Sequence, residues 1–130
     1  MTIPLWSLFF AALLHGFSKL PLIIAQAKQP GGYNNRMPRE QQNQLNDWGQ
    51  RALAAHQNQI ESFPLFAAGV LVITATGLSS STLTLLCLTY LVARVLFIFF
   101  YIKNLATYRS LIWGIGFIIS LALICAPAWA

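Results

Sequence analysis

Residues 51–64, RALAAHQNQIESFP, continue without a break into residues 65–77, LFAAGVLVITATG. The second stretch is apolar enough to lie inside a membrane. The first carries four residues whose side chains prefer water, and they are Arg51, His56, Asn58 and Glu61. An ionisable side chain at the centre of a membrane span costs about 2.5–3.5 kcal/mol on insertion scales. Several such groups at helical spacing on one span therefore indicate a polar site built inside the bilayer.

The composition is that of a membrane protein with a single domain, residues 1–130. Charged residues make up 8% of the sequence, far below the roughly 25% of soluble domains. The net charge of +5 comes from scattered residues rather than from a Lys/Arg-rich run, so nucleic acid is not an expected partner. Cys87 and Cys125 lie in apolar runs without CxxC spacing or a nearby histidine, and no metal site is expected.

Four apolar stretches divide the chain, at residues 3–27, 45–77, 82–101 and 110–128. Each reaches the ~20 residues that a helix needs to cross ~30 Å of hydrocarbon, and none alternates with the period of two typical of a β-barrel strand. The first stretch has no Lys or Arg before it, unlike a secretory signal peptide, and is predicted to be an uncleaved span. The expected fold class is an all-α membrane protein, a bundle of four transmembrane helices.

The connections between the stretches predict the orientation of the bundle. Residues 28–46 form a long polar loop in which Pro38 suits the start of a short helix, residues 77–81 form a tight uncharged hairpin, and residues 106–109 form a short basic turn. The end of the bundle that carries the long polar loop, which we call the loop end, has six basic residues. They are Lys28, Arg36, Arg39, Arg51, Lys103 and Arg109. The opposite end, with both termini, has none, so the positive-inside rule places the long loop in the cytoplasm and both termini on the non-cytoplasmic side.

Two polar stripes are predicted to face each other in the second and third spans, because residues three, four or seven apart share one face of a helix. The stripes are Arg51, Asn58 and Glu61 in the second span and Tyr90, Arg94, Phe97 and Tyr101 in the third. With the hairpin folded at about residue 79, Arg94 comes within one turn of Glu61, in the cytoplasmic third of the bilayer. We expect the two charges to pair, as a link between helices, as part of a polar ligand site, or as both.

Three further polar residues are interpreted more simply. His56, opposite Asn58 around the second helix, and His15, in the middle of the first span, are predicted to bond neighbouring helices rather than to act in chemistry. Arg109 opens the fourth span, where the amide dipole favours anions. It either holds an anionic group or only marks the cytoplasmic side.

At these positions the sequence resembles a known family. Residues 51–66, RALAAHQNQIESFPLF, are similar to the second-helix signature of the MAPEG superfamily (membrane-associated proteins in eicosanoid and glutathione metabolism). The family pattern is roughly R-A-H/Q-x-N-x-x-E followed by F-P, and the residues in register are Asn58, Glu61, Phe63 and Pro64. Supporting matches are IIAQAK at 23–28, LVAR at 91–94 with Tyr101 seven residues on, and YRS at 108–110. The loop GGYNNRMPRE at 31–40 is similar to the bacterial branch.

The resemblance implies a four-helix protomer, a homotrimer, and glutathione as a co-substrate bound between adjacent protomers near the cytoplasmic side, without a metal. By position, Asn58 and Glu61 would hold the glutathione backbone and Tyr101 would line the pocket. Arg109 would be the catalytic residue, because a cation beside a thiol stabilises the nucleophilic thiolate. The full glutathione-binding set that the resemblance implies is Lys28, Arg51, Asn58, Glu61, Arg94 and Tyr101.

Two positions depart from the family pattern. Ala54 stands where the synthases of the family carry an arginine, for which Arg51 could only partly substitute. Phe97 stands where the same enzymes carry a polar ring. Losing a charge-assisted hydrogen bond costs roughly 1.5–3 kcal/mol, or about ten- to a hundredfold in affinity.

The resemblance favours a glutathione-dependent membrane transferase or peroxidase acting on lipophilic electrophiles, multi-pass in the bacterial inner membrane. Its other expected partners are membrane lipid and lipophilic small molecules. The alternative is a non-catalytic scaffold or lipid-binding subunit that retains the fold, as the departures at Ala54 and Phe97 would allow. A small transporter or channel is the third interpretation, against which stand the absence of an internal repeat and of a chain of carboxylates across the bilayer.

Overall fold

Six α-helices and a short terminal 3-10 turn make up the computed structural model, which describes all 130 residues. They are α1 (Ile3–Phe17), α2 (Leu20–Ala27), α3 (Pro38–Gln42), α4 (Asp47–Ala75), α5 (Ser81–Ile102), α6 (Ala106–Ile124) and the turn Ala126–Ala128. Four segments are long and apolar enough to cross a membrane, and they are Ile3–Ala27, Asp47–Ala75, Ser81–Ile102 and Ala106–Ile124. The predicted all-helical bundle with four candidate spans is confirmed, and the short helix α3 begins at Pro38 as expected.

The first span consists of two helices, α1 and α2, which are separated at residues 18–19. The break has a local cause, because Pro21 lacks a backbone N–H and cannot donate to the carbonyl four residues earlier. Ser18 closes the end of α1, with its N–H donating to the Leu14 carbonyl at 2.8 Å and its hydroxyl donating to the His15 carbonyl at 2.8 Å. The bounds of this span agree with the prediction, whereas the break within it was not predicted.

Side-chain caps and one left-handed glycine set the ends of the hairpin helices. The Asn46 side chain accepts a hydrogen bond from the Gly49 N–H at 2.8 Å at the start of α4. The Ser80 hydroxyl accepts from the Leu83 N–H at 3.2 Å at the start of α5. Both contacts satisfy backbone donors that a helix leaves free at its first turn. Gly77, at φ +70°, ends α4 in a conformation that a residue without a Cβ adopts at no steric cost.

The turn between α5 and α6 lies earlier in the chain than predicted. Asn104 forms it at φ 59°, a left-handed conformation that asparagine tolerates better than most residues do. The Leu105 N–H donates back to the Phe100 carbonyl at 2.8 Å and closes the turn. Because α6 begins at Ala106, the predicted basic turn at residues 106–109 is wrong, and Arg109 lies within the first turn of the helix.

Helices α4, α5 and α6 meet in the main apolar core. Phe66 of α4 and Tyr90 of α5 stack with their ring centroids 3.8 Å apart and their planes at 4°. The approach of α4 to α6 is so close at Gly69 that a Cβ there would lie 2.6 Å from the Cβ of Leu123. Large apolar side chains cover the outside of the bundle, among them Leu71, Leu85, Leu111 and Ile118. Such an outer surface suits contact with acyl chains, which are as apolar as leucine.

We predict that Gly69→Ala destabilises the protein by about 1–3 kcal/mol, because the added methyl group overpacks the contact between α4 and α6. Thermal unfolding in detergent micelles measures the effect. The matched control is Gly114→Ala in α6, where a Cβ meets no atom within 4 Å. That change should leave the stability unaltered or raise it by up to about 1 kcal/mol, because alanine favours helix over glycine. Equal unfolding temperatures for the two variants would show that the contact is not tight.

Candidate functional site

The guanidinium of Arg94 is buried between α4 and α5, with 1% of the residue exposed. Its Nε donates a hydrogen bond to Gln59 Oε1 at 2.8 Å, and its Nη2 donates to Asn58 Oδ1 at 2.9 Å. The ring of Phe97, one turn along α5, lies with its centroid 4.3 Å from the Arg94 Cζ. The charge is therefore held by two amide oxygens and one aromatic ring from the same chain.

Glu61 does not pair directly with Arg94, contrary to the expectation from the sequence. The Asn58 side chain lies between them, and its Nδ2 donates to Glu61 Oε2 at 3.4 Å. Helix geometry explains the difference, because consecutive residues are about 100° apart around α4. Gln59 therefore points into the bundle, whereas Glu61 is exposed on its surface. Arg94 and Glu61 are connected by hydrogen bonds through Asn58, and they do not form an ion pair.

Gln59 binds Arg94 but is not among the residues predicted from the sequence. It is fully buried, and its Oε1 must face Arg94 because only the oxygen can accept. The Nε2 of the same amide has no hydrogen-bond partner. A signal was present in the sequence, since Gln59 lies four residues after Ala55 and seven after Ala52 on the buried face of α4. A polar side chain on the buried stripe of a membrane span is expected to bind another buried polar group.

Arg109 and Tyr101 contact each other at the end of the bundle where α5 ends and α6 begins. The Arg109 Cζ lies 4.4 Å from the centroid of the Tyr101 ring. Both line a cavity of about 230 Å³, which we call the Arg109 cavity. Its lining residues are Asn58, Phe97, Tyr101, Arg109, Ser110 and Trp113. Of the residues predicted from the sequence, the structure brings Asn58, Tyr101 and Arg109 together here.

A second cavity of about 180 Å³, the Glu61 cavity, lies between α4 and α6. Asn58 and Trp113 line this cavity as well as the Arg109 cavity, so the two adjoin. The rings of Trp113 and Phe117 stack along α6, with centroids 5.2 Å apart and planes at 7°. One cavity therefore carries a guanidinium and its neighbour a carboxylate, with an amide and an indole common to both.

Lys28 and Arg51 do not line either cavity within this chain. The Lys28 side chain is exposed, with its Nζ 5.9 Å from the centroid of the Trp48 ring. The Nε of Arg51 donates to the Ile102 carbonyl at 3.3 Å, at the end of α5. Cations near a helix C-terminus are favourable, so the contact of Arg51 stabilises the end of α5.

The two histidines lie between the first and second spans, away from both cavities. His56 Nδ1 is 2.8 Å from the Ser18 hydroxyl oxygen, which confirms that His56 bonds a neighbouring helix. The His15 ring meets the His56 ring edge to face at 6.1 Å and the Phe63 ring at 5.9 Å. No group of three or more His, Cys, Asp or Glu side chains comes together in the structure.

Comparison with known proteins identifies the family. The model of the MAPEG family matches residues 3–129, which is nearly the whole chain. No curated protein and no solved structure matches it. The chain therefore belongs to the MAPEG family and is a membrane protein with four candidate spanning helices.

We predict that Gln59→Leu destabilises the protein by about 1.5–3 kcal/mol, because the buried Arg94 loses one charge-assisted hydrogen bond. The matched control is Gln57→Leu, which makes the same change at an exposed position of the same helix. Unfolding in detergent micelles compares the two variants. If both unfold at the same temperature, Gln59 does not support the guanidinium.

Proposed function

We propose that this member of the MAPEG family is a glutathione-dependent transferase or peroxidase that acts on lipophilic electrophiles at the membrane. The observation that carries the proposal is the position of Arg109 over Tyr101, at 4.4 Å, on the wall of a cavity. A guanidinium beside a thiol lowers the free energy of the thiolate, which is the nucleophile in transfer to an electrophile. The thiol proton leaves to bulk water, the thiolate sulfur forms a bond to an electrophilic carbon, and the bond from that carbon to its leaving group breaks, so that the leaving group departs with the electron pair. With a hydroperoxide, the sulfur takes the terminal oxygen as the O–O bond breaks, and a second glutathione then releases that oxygen as water and forms the disulfide.

The start of α6 adds to the positive potential at the same place. The Arg109 N–H donates to the Leu105 carbonyl at 2.9 Å, so the free amide donors of the helix are those of the three preceding residues. Such donors and the helix dipole favour an anion near the first turn. A thiolate or a carboxylate at this end would gain from both the dipole and the Arg109 charge.

Asn58 and Glu61 offer complementary contacts for a peptide backbone. The Asn58 amide can both donate and accept, and the Glu61 carboxylate accepts only. Asn58 lies on both cavities, and its orientation is set by the 2.9 Å bond from Arg94. These contacts support the assignment of Asn58 and Glu61 to the glutathione backbone, with Tyr101 lining the pocket and Arg94 acting through Asn58.

The size of the Arg109 cavity supports a ligand shared between copies of the chain. Its volume of about 230 Å³ is below the roughly 300–1,000 Å³ of pockets that enclose a whole small ligand. A tripeptide would therefore be only partly enclosed by one protomer. We propose a homotrimer in which glutathione lies between adjacent protomers, and in which Lys28 and Arg51 reach it across the interface.

The membrane supplies the second substrate in this proposal. The outside of the bundle is apolar, so a lipophilic electrophile can reach the cavities laterally from the acyl chains. The basic residues lie at the loop end, which we place in the cytoplasm, with both termini on the non-cytoplasmic side. Glutathione would then enter from the aqueous cytoplasmic side of a bacterial inner membrane.

A second candidate function, a scaffold or lipid-binding subunit without catalysis, is favoured by one observation. The Arg94 guanidinium is bound within its own chain, and the apolar Phe97 ring covers it at 4.3 Å. In a site specialised for glutathione, more polar side chains would be expected to remain free to contact the ligand. Titration of the wild-type protein with glutathione, followed by thiolate absorbance, separates the two functions, because only the enzyme forms a bound thiolate at millimolar ligand.

We predict that Arg109→Ala lowers the bound thiolate and the transferase kcat/KM at least tenfold, because the cation beside the sulfur is lost. The matched control is Lys103→Ala, which removes an exposed positive charge at the same end of the bundle. This control should keep both quantities within about twofold. The oligomeric state, measured by native mass spectrometry, should be the same for both variants. Full activity in Arg109→Ala would show that another group activates the thiol.

A further inference from the structure

A cavity of about 360 Å³ lies at the end of the bundle opposite the loop end, between the start of α1, the end of α4 and the start of α5. We call it the hairpin cavity, because residues 77–80 of the hairpin between α4 and α5 line it. Ile73 and Leu83, each 1% exposed, form its inner wall. It shares no residue with the Arg109 cavity or the Glu61 cavity, and the 22 residues of α5 between the two ends of the bundle are about 33 Å long. It is therefore separate from the site proposed for glutathione.

Hydroxyl groups with free protons surround the hairpin cavity. The hydroxyls of Thr2, Ser79 and Thr84 line it and make no hydrogen bond within the chain. The Ser80 hydroxyl accepts from the Leu83 N–H at 3.2 Å through its oxygen, so its own proton is free to be donated. No Asp, Glu, Lys or Arg side chain lines the cavity. Four O–H donors without a neighbouring carboxylate favour a ligand group that accepts hydrogen bonds.

The hairpin cavity lies at the depth of the lipid head groups. Helix α4 ends at Ala75 and α5 begins at Ser81, and the length of α5 already matches the ~30 Å of hydrocarbon in a bilayer. Trp6, an exposed residue in the first turns of α1, lies near the same end of the bundle. Tryptophan is enriched where the membrane meets water. A group bound in the hairpin cavity therefore lies at the polar edge of the bilayer.

A groove of about 730 Å³ continues from the hairpin cavity along the outside of α5. It shares four lining residues with the cavity, and they are Ile3, Ser79, Ser80 and Thr84. It adds Leu85 and Leu88, both exposed, which lie on one face of α5 and about 6 and 10 Å further from the start of the helix than Ser81. A hydroxyl-lined cavity at head-group depth thus opens onto leucines at acyl-chain depth. This arrangement has the polarity of an amphiphile with its head at the edge of the bilayer.

We propose that the hairpin cavity binds the phosphate of a membrane phospholipid, with one acyl chain along the groove at Leu85 and Leu88. Phosphate oxygens accept hydrogen bonds and donate none, so they match the four free hydroxyl protons, and hydrogen bonds to a charged acceptor are the stronger kind. Thr2 belongs to the start of α1, whereas Ser79, Ser80 and Thr84 belong to the hairpin and α5. The bound lipid therefore links the first span to the second and third. The site needs no thiol and does not depend on the proposed function.

The test uses full-length protein that has been stripped of lipid in a nonionic detergent and then titrated with dioleoylphosphatidylcholine. Native mass spectrometry counts the bound lipid. This lipid has no net charge, so the basic loop end does not attract it. Thr84→Val keeps the shape of the side chain and removes its hydroxyl. The matched control is Thr89→Val, the same change at an exposed position of α5 outside the cavity and the groove.

We expect Thr84→Val to weaken the binding of one phospholipid per chain by about tenfold, and Thr89→Val to leave it unchanged. Ser79→Ala, which changes a residue between the two helices, should weaken it as well and serves if Thr84→Val does not fold. Equal lipid binding by wild type, Thr84→Val and Ser79→Ala would overturn the site. Absence of a bound phospholipid in the wild-type protein would overturn it too.

Two further ligands identify the group that the cavity recognises. Dioleoylglycerol has the same acyl chains without the phosphate, and it should bind at least tenfold more weakly and be insensitive to Thr84→Val. Inorganic phosphate at millimolar concentration should not displace the phospholipid, because it lacks the acyl chain. Binding of dioleoylglycerol as tight as that of the phospholipid would identify a groove for acyl chains alone, and displacement by inorganic phosphate would identify a site for the free ion. Either result contradicts the proposal.

Discussion

The hydrogen bonds from Arg94 to Gln59 and Asn58 are the constraint on which the polar part of the structure depends. A guanidinium cannot lose its proton inside a protein, so burial between α4 and α5 requires acceptors for its N–H groups. Two amide oxygens on consecutive residues of α4 supply them, at 2.8 and 2.9 Å. Charge-assisted hydrogen bonds of this kind contribute about 1.5–3 kcal/mol each, and losing one leaves a charge stranded in apolar surroundings. The rotation of α4 against α5 is therefore set by polar contacts as well as by apolar packing.

The hydrogen bond from Arg94 also fixes the position of Asn58. Asn58 is held by Arg94 and lines both cavities, so its amide is fixed at the boundary between them. Glu61 lies one turn further along α4 and lines the Glu61 cavity. Arg109 of α6 lines the Arg109 cavity. Gly116 of α6 faces the same region, where an added Cβ would lie in ordinary van der Waals contact with the Arg94 side chain, at 3.8 Å, and with Tyr90, at 3.9 Å. Positive and negative groups thus lie on adjoining cavities without neutralising each other.

The sequence predicted the helices and the stripe on α5, because both follow from the helical repeat and from the length of a membrane span. The spacing of Tyr90, Arg94, Phe97 and Tyr101 indicated one face of α5. On that face, Phe97 and Tyr101 line the Arg109 cavity. The partner of Arg94 could not be predicted in the same way. Glu61 and Gln59 differ by two residues, or roughly 200° around α4, and only the packed rotation of the helix decides which one meets the guanidinium. The early start of α6 was also missed, because it depends on a left-handed Asn104 rather than on hydropathy.

The arrangement of Arg94, Asn58 and Arg109 around the ligand can be observed in a structure of the protein in lipid nanodiscs with glutathione present, determined by electron cryomicroscopy. We expect Arg94 bonded to Gln59 and Asn58, with the glutathione sulfur beside the Arg109 guanidinium and the peptide in contact with Asn58. An Arg94 side chain that has left the two amides, or a ligand bound away from Asn58 and Arg109, would contradict it.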